Sequence, residues 1–444
     1  MSPSEYLDVL TQQLRCEKAK DIVVTEISAH IGDQAQAYIE DGMEREQALQ
    51  KAVEQMGDPV EAGMALDRIH RPKIDWRMLG MIAALSVAGI FLQWLVCKDT
   101  NAAVEITIFL KNTVIGIGCM VLISLLDYTI IGKYPRLCIL IYCIAAFLYG
   151  QMLQDRYNSG MIWFCVPLFA GIIYFYRNEK YKGMIKSLLW ICAVCYFMLG
   201  VGRTGISAVI LTLLAGILIL SFAIKQGWYE IPVKFAKFLL ASIIIIPAAV
   251  IGGYLLFGAT YQVQRIQSFL MPDSYRQGFG YSTYWMREIL KGLRATGTGM
   301  RDINSMLPET DDNYFFIWLM NKFGIVAGVL LIIVLGILFV YMMKALQKQK
   351  NRLGVLVGVG GLCGIFFPAI VHILMNVTLL PPTTASLPFF SNGNEMIIMY
   401  YAMIGLYLSV YRNSTIAKEP EIKAGFFKNK LKKKKNIVSH ENMI

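Results

Sequence analysis

Arg287, Lys291 and Arg294 follow one another at three- and four-residue intervals, so on a helix their cationic groups share one face. Arg265, Arg276 and Arg301 belong to the same stretch between two apolar runs. Such a group of cations fits an anionic partner; alternatively they pair with Asp273, Glu288, Asp302 and Glu309, or reach toward lipid headgroups. Asp311 and Asp312 stand just ahead of an apolar run that opens at Tyr314. Carboxylates there can cap a helix, whose amino end favours negative charge, or can accept a proton from a bound molecule. His372 lies inside a later apolar run, where a polar side chain either serves function or bonds a neighbouring helix.

The elements that must position these groups are set by composition. The chain has 444 residues, 56% hydrophobic and 16% charged, with mean hydropathy +0.51. That is more apolar surface than one water-soluble core can bury, and only helices or closed barrels satisfy their backbone in lipid. An all-α polytopic membrane protein with about ten transmembrane helices is expected. The spans fall near Leu79–Val96, Thr113–Ile131, Leu137–Leu153, Met161–Tyr176, Ser187–Val201, Gly205–Ile224, Phe238–Phe257, Tyr314–Met343, Leu353–Thr378 and Met396–Tyr411. Tyr314–Met343 exceeds one crossing and is read as a single tilted or projecting helix.

Alternate loops are basic, with Lys133 and Arg136, then Arg177 to Lys186, Lys225 to Lys237 and Lys344 to Arg352, which places both termini in the cytoplasm. The intervening 258–312 segment becomes a large extracytoplasmic loop. No cleavable signal peptide is expected, because the first long apolar run opens only at Met78. Residues 1–73 read as a small cytoplasmic helical domain: Ser2-Pro3-Ser4-Glu5 has capping-box spacing, and Gly57-Asp58-Pro59-Val60-Glu61 marks a second helix boundary. Residues 74–412 form the transmembrane domain, and 413–444 a basic tail carrying much of the net +11 charge, set against anionic lipid rather than nucleic acid. Of nine cysteines only Cys192 and Cys195 have CxxC spacing, and without a second pair or a nearby histidine they read as helix packing.

Several motifs resemble the FtsW/RodA/SpoVE family. Leu126-Asp127-Tyr128, preceded by Lys111-Asn112, looks like its Ile-Asp-Tyr signature, and Gly202-Arg203-Thr204-Gly205 is a degraded match to Gln-Pro-Asp-Leu-Gly-Thr. Arg265-Ile266-Gln267-Ser268-Phe269-Leu270, Gly278-Phe279-Gly280-Tyr281 and Thr296-Gly297-Thr298-Gly299 follow the family's order. Leu307-Pro308-Glu309 resembles the start of Leu-Pro-Glu-x-His-Thr-Asp. Most specific is Leu380 to Gly393, which resembles Leu-Pro-Val-Thr-Gly-x-x-Leu-Pro-Phe-x-Ser-Tyr-Gly; the resemblance runs from Thr113 to Arg412, without the family's Gly-Ala-x-Arg-Trp-Ile and Gln-Pro-Ser-Glu motifs. Ahead of it, Asp33–Met64 resembles the short prefix domain of some bacterial permeases, either a solvated bundle that aids insertion or a docking module for a regulator.

The resemblance implies polymerisation of lipid II, or another polyprenyl-diphosphate-linked saccharide, at the outer face of the bacterial cytoplasmic membrane, in division, shape maintenance or sporulation. It implies a class B penicillin-binding transpeptidase and other division or elongation proteins as partners, a catalytic carboxylate, and a divalent cation as a candidate cofactor. Ungapped alignment puts Asn313 at the family's catalytic aspartate, so the role shifts to Asp312 or Asp311. Arg265, Arg287, Lys291, Arg294, Arg301, Glu309, Asn313 and Ser391 are the expected substrate-binding residues. Asn392 and Glu395 replace family residues of other types. The alternative is a catalytically weak homologue that binds or flips lipid-linked precursor or scaffolds division proteins. An O-antigen polymerase or ligase would share the basic loop and helix count but lacks the Leu380–Gly393 pattern, and a transporter has little local support.

Overall fold

The computed structural model describes residues 1–70, 72–100, 103–152, 160–201, 204–257, 260–307, 310–349, 351–393 and 395–414. Among them the regular structure is helical. Four amphipathic helices, α1 (Pro3–Gln12), α2 (Glu17–Glu40), α3 (Arg45–Gln55) and α4 (Pro59–His70), come first. The capping box forms as its spacing predicts: Glu5 N donates to Ser2 Oγ at 3.2 Å and Ser2 N to Glu5 Oε2 at 2.9 Å. Asp58 Oδ1 accepts from Val60 N at 3.0 Å ahead of α4. Tyr6, Leu10, Leu14, Val23 and Ile31 make a core separate from the larger one that follows.

That larger body holds α5 (Trp76–Thr100), α6 (Ala103–Leu125), the short α7 (Thr129–Lys133), α8 (Pro135–Met152), α9 (Cys165–Phe175), α10 (Lys180–Gly200), α11 (Ile206–Lys225) and α12 (Lys234–Phe257). A loop region with α13 (Thr260–Leu270), α14 (Tyr281–Lys291) and α15 (Ile303–Met306) leads to α16 (Phe315–Phe323), α17 (Ile325–Gln347), α18 (Arg352–Asn376) and α19 (Glu395–Arg412). Among the described residues eight helices are long and apolar enough to cross a membrane. The apolar Met161–Phe175 segment is shorter and almost wholly buried, and the 18-residue α19 is mostly buried. The chain is therefore an all-α, multi-pass membrane protein.

Burial sorts the helices. α9 is apolar on every side and its residues Cys165 to Tyr174 are all buried, while α12 turns most of its surface outward. With lipid outside, close packing of small residues replaces the hydrophobic drive between helices. Gly405 of α19 lies against the Met120 carbonyl of α6, and Gly360 of α18 against the backbone of Pro167 in α9.

Two expected spans change. α6 begins ten residues before Thr113 and ends at Leu125 rather than Ile131; Asp127 Oδ1 then accepts from Thr129 N at 3.0 Å and starts α7. The continuous Tyr314–Met343 helix is instead two, broken at Gly324 (φ 95°, ψ 170°), a conformation that side chains exclude. The 294–299 segment closes the break. Ile325 N and Val326 N, at the start of α17, donate to the Arg294 and Ala295 carbonyls at 3.0 and 3.1 Å. Gly297 N and Gly299 N donate to the Phe323 and Asn321 carbonyls at the end of α16. The glycine-rich Thr296–Gly299 motif is thus a splint across a discontinuous helix. A Cβ at Gly324 would stand 2.5 Å from the Ala295 oxygen. Gly324→Ala is expected to cost at least about 1–3 kcal/mol from backbone strain alone, read as a lowered thermal midpoint in detergent.

The spans have two poles. At one, Tyr341 Oη donates to Asp75 Oδ1 at 2.7 Å and Gln349 Nε2 to the Val410 carbonyl at 3.0 Å, joining the start of α5 to the ends of α17 and α19. At the other, the end of α18 meets the start of α16, the end of α5 meets the end of α16, and the start of α6 meets the loop that leads to α19.

Candidate functional site

Between α18 and α19 the chain returns through the protein without helix, and 385–393 are all buried. Irregular backbone at that depth persists only where protein groups satisfy it. His372 Nδ1 lies 2.7 Å from the Ala385 carbonyl, which can only accept, so the ring hydrogen sits on Nδ1. Tyr400 Oη donates to the Ser386 carbonyl at 2.7 Å, and Gln93 Nε2 to the Phe390 carbonyl at 2.6 Å. Ser391 is fully buried and its Oγ accepts from Leu387 N at 3.0 Å, so it shapes the loop from within. Phe389 holds φ 71°, a left-handed conformation rare for an aromatic residue, with its carbonyl packed onto Gly89 of α5.

This loop meets the residues ahead of α16. Asn392 Nδ2 donates to Asp311 Oδ2 and to Glu105 Oε2, each at 3.0 Å, and Asn392 N donates to the Asp311 carbonyl at 2.8 Å. That carbonyl also accepts from Gln93 Nε2 at 2.6 Å. Ser386 Oγ donates to Asp312 Oδ1 at 3.0 Å. The amino end of α16 is closed from another helix: Asn376 Oδ1 accepts from Ile317 N at 3.1 Å, and its Nδ2 donates to the Asn313 carbonyl at 3.0 Å. Asn376 thus caps α16 from another helix, and both carboxylates bond the α18–α19 loop.

The expected cations mostly find partners inside their own loop. Lys291 Nζ and Arg301 Nη2 each lie 2.8 Å from a Glu288 oxygen, and Arg287 Nη2 donates to the Phe269 carbonyl at 3.1 Å. Arg276 stacks on the Tyr284 ring at 4.6 Å. Arg265 and Arg294 are exposed and have no ion pair among the described residues. The loop reaches the carboxylate cluster through α16, where Asn321 Nδ2 donates to the Arg301 carbonyl at 3.0 Å and Lys322 Nζ pairs with Asp99 of α5 at 2.8 Å. Glu309, Gly202, Arg203 and the tail from 415 lie outside the described residues.

Hydrogen bonding and charge from Lys291, with the Arg301 guanidinium beside it, hold the Glu288 carboxyl below its ordinary value of 4.5. A depressed carboxyl stabilises the link above that ordinary value and loses it as pH falls through the lowered one. Amide protection factors across 288–301, corrected for the intrinsic pH dependence of exchange, should therefore fall on acidification below 4.5. Glu288→Gln should show the lowered protection already at neutral pH, with no further fall on acidification.

A divalent cation needs several oxygen ligands converging on one point. Among the described residues no three His, Cys, Asp or Glu come together in that way, and an amide donor occupies the space between Glu105 and Asp311. The described part of the cluster thus offers no such set, and Glu309 lies outside it. Gln93, Glu105 and Asn376 went unread in the sequence and Ser386 was read only as part of the Leu380–Gly393 pattern, although a lone glutamine in the first apolar run was a signal that could have found one of them.

Comparison with known proteins places this geometry. A family model described as cell cycle protein, FtsW/RodA/SpoVE, matches residues 161–416, so the match opens after the Leu126-Asp127-Tyr128 motif and leaves Gln93 and Glu105 ahead of it. A probable peptidoglycan glycosyltransferase FtsW of Borreliella burgdorferi is 33% identical over 157 residues, 34% of this chain and 43% of the relative. One from Methylomonas methanica is 27% identical over 246 residues, 53% of this chain and 59% of the relative. The chain spans less than half the length of most of the curated relatives it matches. A solved structure described as structural coordination of polymerization and crosslinking by a peptidoglycan synthase complex shares the fold, with TM-score 0.59 at 15% identity over 77% of this chain and 98% of that one. The family match takes in more than half of the 444 residues, including the buried 385–393 loop and the Asp311/Asp312 segment it binds, and the chain belongs to the FtsW/RodA/SpoVE family.

Proposed function

We propose that this protein polymerises glycan strands from lipid II or a similar polyprenyl-diphosphate-linked saccharide in bacterial cell-wall synthesis. The observation that carries the reading is the Ser386–Asp312 hydrogen bond together with the cap from Asn376. A carboxylate oriented by a hydroxyl is suited to take a proton. A sugar hydroxyl of one precursor forms a C–O bond to the anomeric carbon of another, its proton passes to Asp312, and the C–O bond to the polyprenyl diphosphate breaks. Arg265 and Arg294 are the loop cations left to meet the diphosphate charge. Asp311, tied to Asn392, holds the segment in place. No step runs through a metal.

The same reading sets the cluster on the outer face of the cytoplasmic membrane and both termini inside, since the basic loops gather at the pole of Asp75, Tyr341 and Val410. A class B penicillin-binding transpeptidase is the proposed partner. A second reading, a weak homologue that binds precursor or scaffolds, draws on Asn313: a side-chain amide at the family's acid position, on a residue whose backbone carbonyl accepts from Asn376 Nδ2. Polymerisation of lipid II by the purified chain, alone and with candidate transpeptidases, separates the two. Polymer from the parent supports the first; an inert parent that gains activity on Asn313→Asp supports the second.

A further inference from the structure

At the pole away from Asp312, a cavity of about 910 Å³ opens between α2, the 69–77 segment and the ends of α17 and α19. That is within the range of small-molecule sites, about 300–1,000 Å³. Lys73, Arg77, Lys344 and Lys348 line it, and none of the four has an ion pair among the described residues. The facing acids are Glu26 of α2 and Asp75. Asp75 is 5% exposed; its Oδ1 accepts from Met78 N at 3.0 Å and from Tyr341 Oη, whereas its Oδ2 is buried without a partner. His70 Nδ1, also on the wall, is buried and unpartnered.

Four cations call for a negative charge, and a buried carboxylate oxygen calls for a hydrogen-bond donor. The occupant therefore carries both. Its source is set by the rim, where Ile69, Ile74 and Trp76 are 55%, 57% and 72% exposed. An exposed tryptophan between basic residues at the end of a span is the pattern of a membrane–water boundary. The geometry points to an anionic phospholipid with a hydroxyl-bearing headgroup, of the phosphatidylglycerol type, seated between the amino-terminal bundle and the spans. Its phosphate meets the lysines and Arg77, its hydroxyl donates to Asp75 Oδ2, and its acyl chains leave past Trp76. Because Ile22 and Glu26 of α2 form one wall, the lipid joins two bodies whose cores are separate.

The test is lipid binding by the full chain in detergent, followed by native mass spectrometry, with phosphatidylglycerol, phosphatidylcholine and soluble glycerol phosphate as probes. Phosphatidylglycerol is expected to bind at least about tenfold more tightly than phosphatidylcholine. Lys73→Gln/Lys344→Gln/Lys348→Gln, all exposed positions, should remove that preference with an unchanged thermal midpoint for the lipid-free chain. Asp75→Asn, which keeps an acceptor for Met78 N, should reduce the preference for the hydroxyl-bearing headgroup. Equal binding of the two lipids, or parent-like affinity in the triple variant, overturns the site. Glycerol phosphate binding as tightly as phosphatidylglycerol overturns the lipid as its source.

Discussion

Asp312→Asn should lower lipid II polymerisation on the order of 10²–10⁴-fold while the chain stays folded. An amide fills the same space and still accepts from Ser386 Oγ, so the 3.0 Å contact that orients the side chain can persist. What is lost is the capacity to take a proton. Asp311→Asn is expected to do much less, because its carbonyl, not its carboxylate, carries the contacts from Gln93 and Asn392 N, and an amide oxygen still accepts from Asn392 Nδ2. The comparison is made by gel analysis of glycan product, with melting curves beside it. Equal losses in both variants would remove Asp312 from the role of base.

Gly89→Ala carries the second large effect. The added Cβ would stand 1.9 Å from the Phe389 carbonyl oxygen, a distance at which backbone must move. Gln93 lies one turn further along the same face of α5, and its two 2.6 Å hydrogen bonds tie the Phe390 and Asp311 carbonyls together. Displacing α5 from the loop strains both. Overpacking of this kind costs about 1–3 kcal/mol, and each carbonyl left unsatisfied about 1–3 kcal/mol more. Polymerisation should fall to background and the thermal midpoint should drop. Gly80→Ala is the control on the same helix, since nothing lies within 4 Å of its added methyl; it should keep parent activity.

Local features were the legible ones. The Ser2–Glu5 box depends on four consecutive residues and formed as spaced. Most spans declared themselves by apolar length, and the Leu380–Gly393 pattern picked out the loop that organises the site. Gly324 was passed over because the apolar run continues on both sides of it, and only its backbone angle and the Ala295 carbonyl make it a break. Glu105 and Gln93 gain their roles from partners more than 200 residues away, a relation that periodicity does not carry. The cations of the loop were seen as a group, but which were already neutralised depended on one side chain, Glu288, folding between two of them.

The splint across Gly324 also fixes how force travels. Residues 294–299 hold both the carboxyl end of α16 and the amino end of α17 by backbone hydrogen bonds. α16 is nine residues long, a stiff rod of about 14 Å, and Asp312 sits just beyond its far end. A protein that grips the 260–303 loop region and tugs on Arg294 or Ala295 would therefore shift the aim of a carboxylate it never touches. Catalytic output in such a chain would be throttled by tension rather than by occupancy.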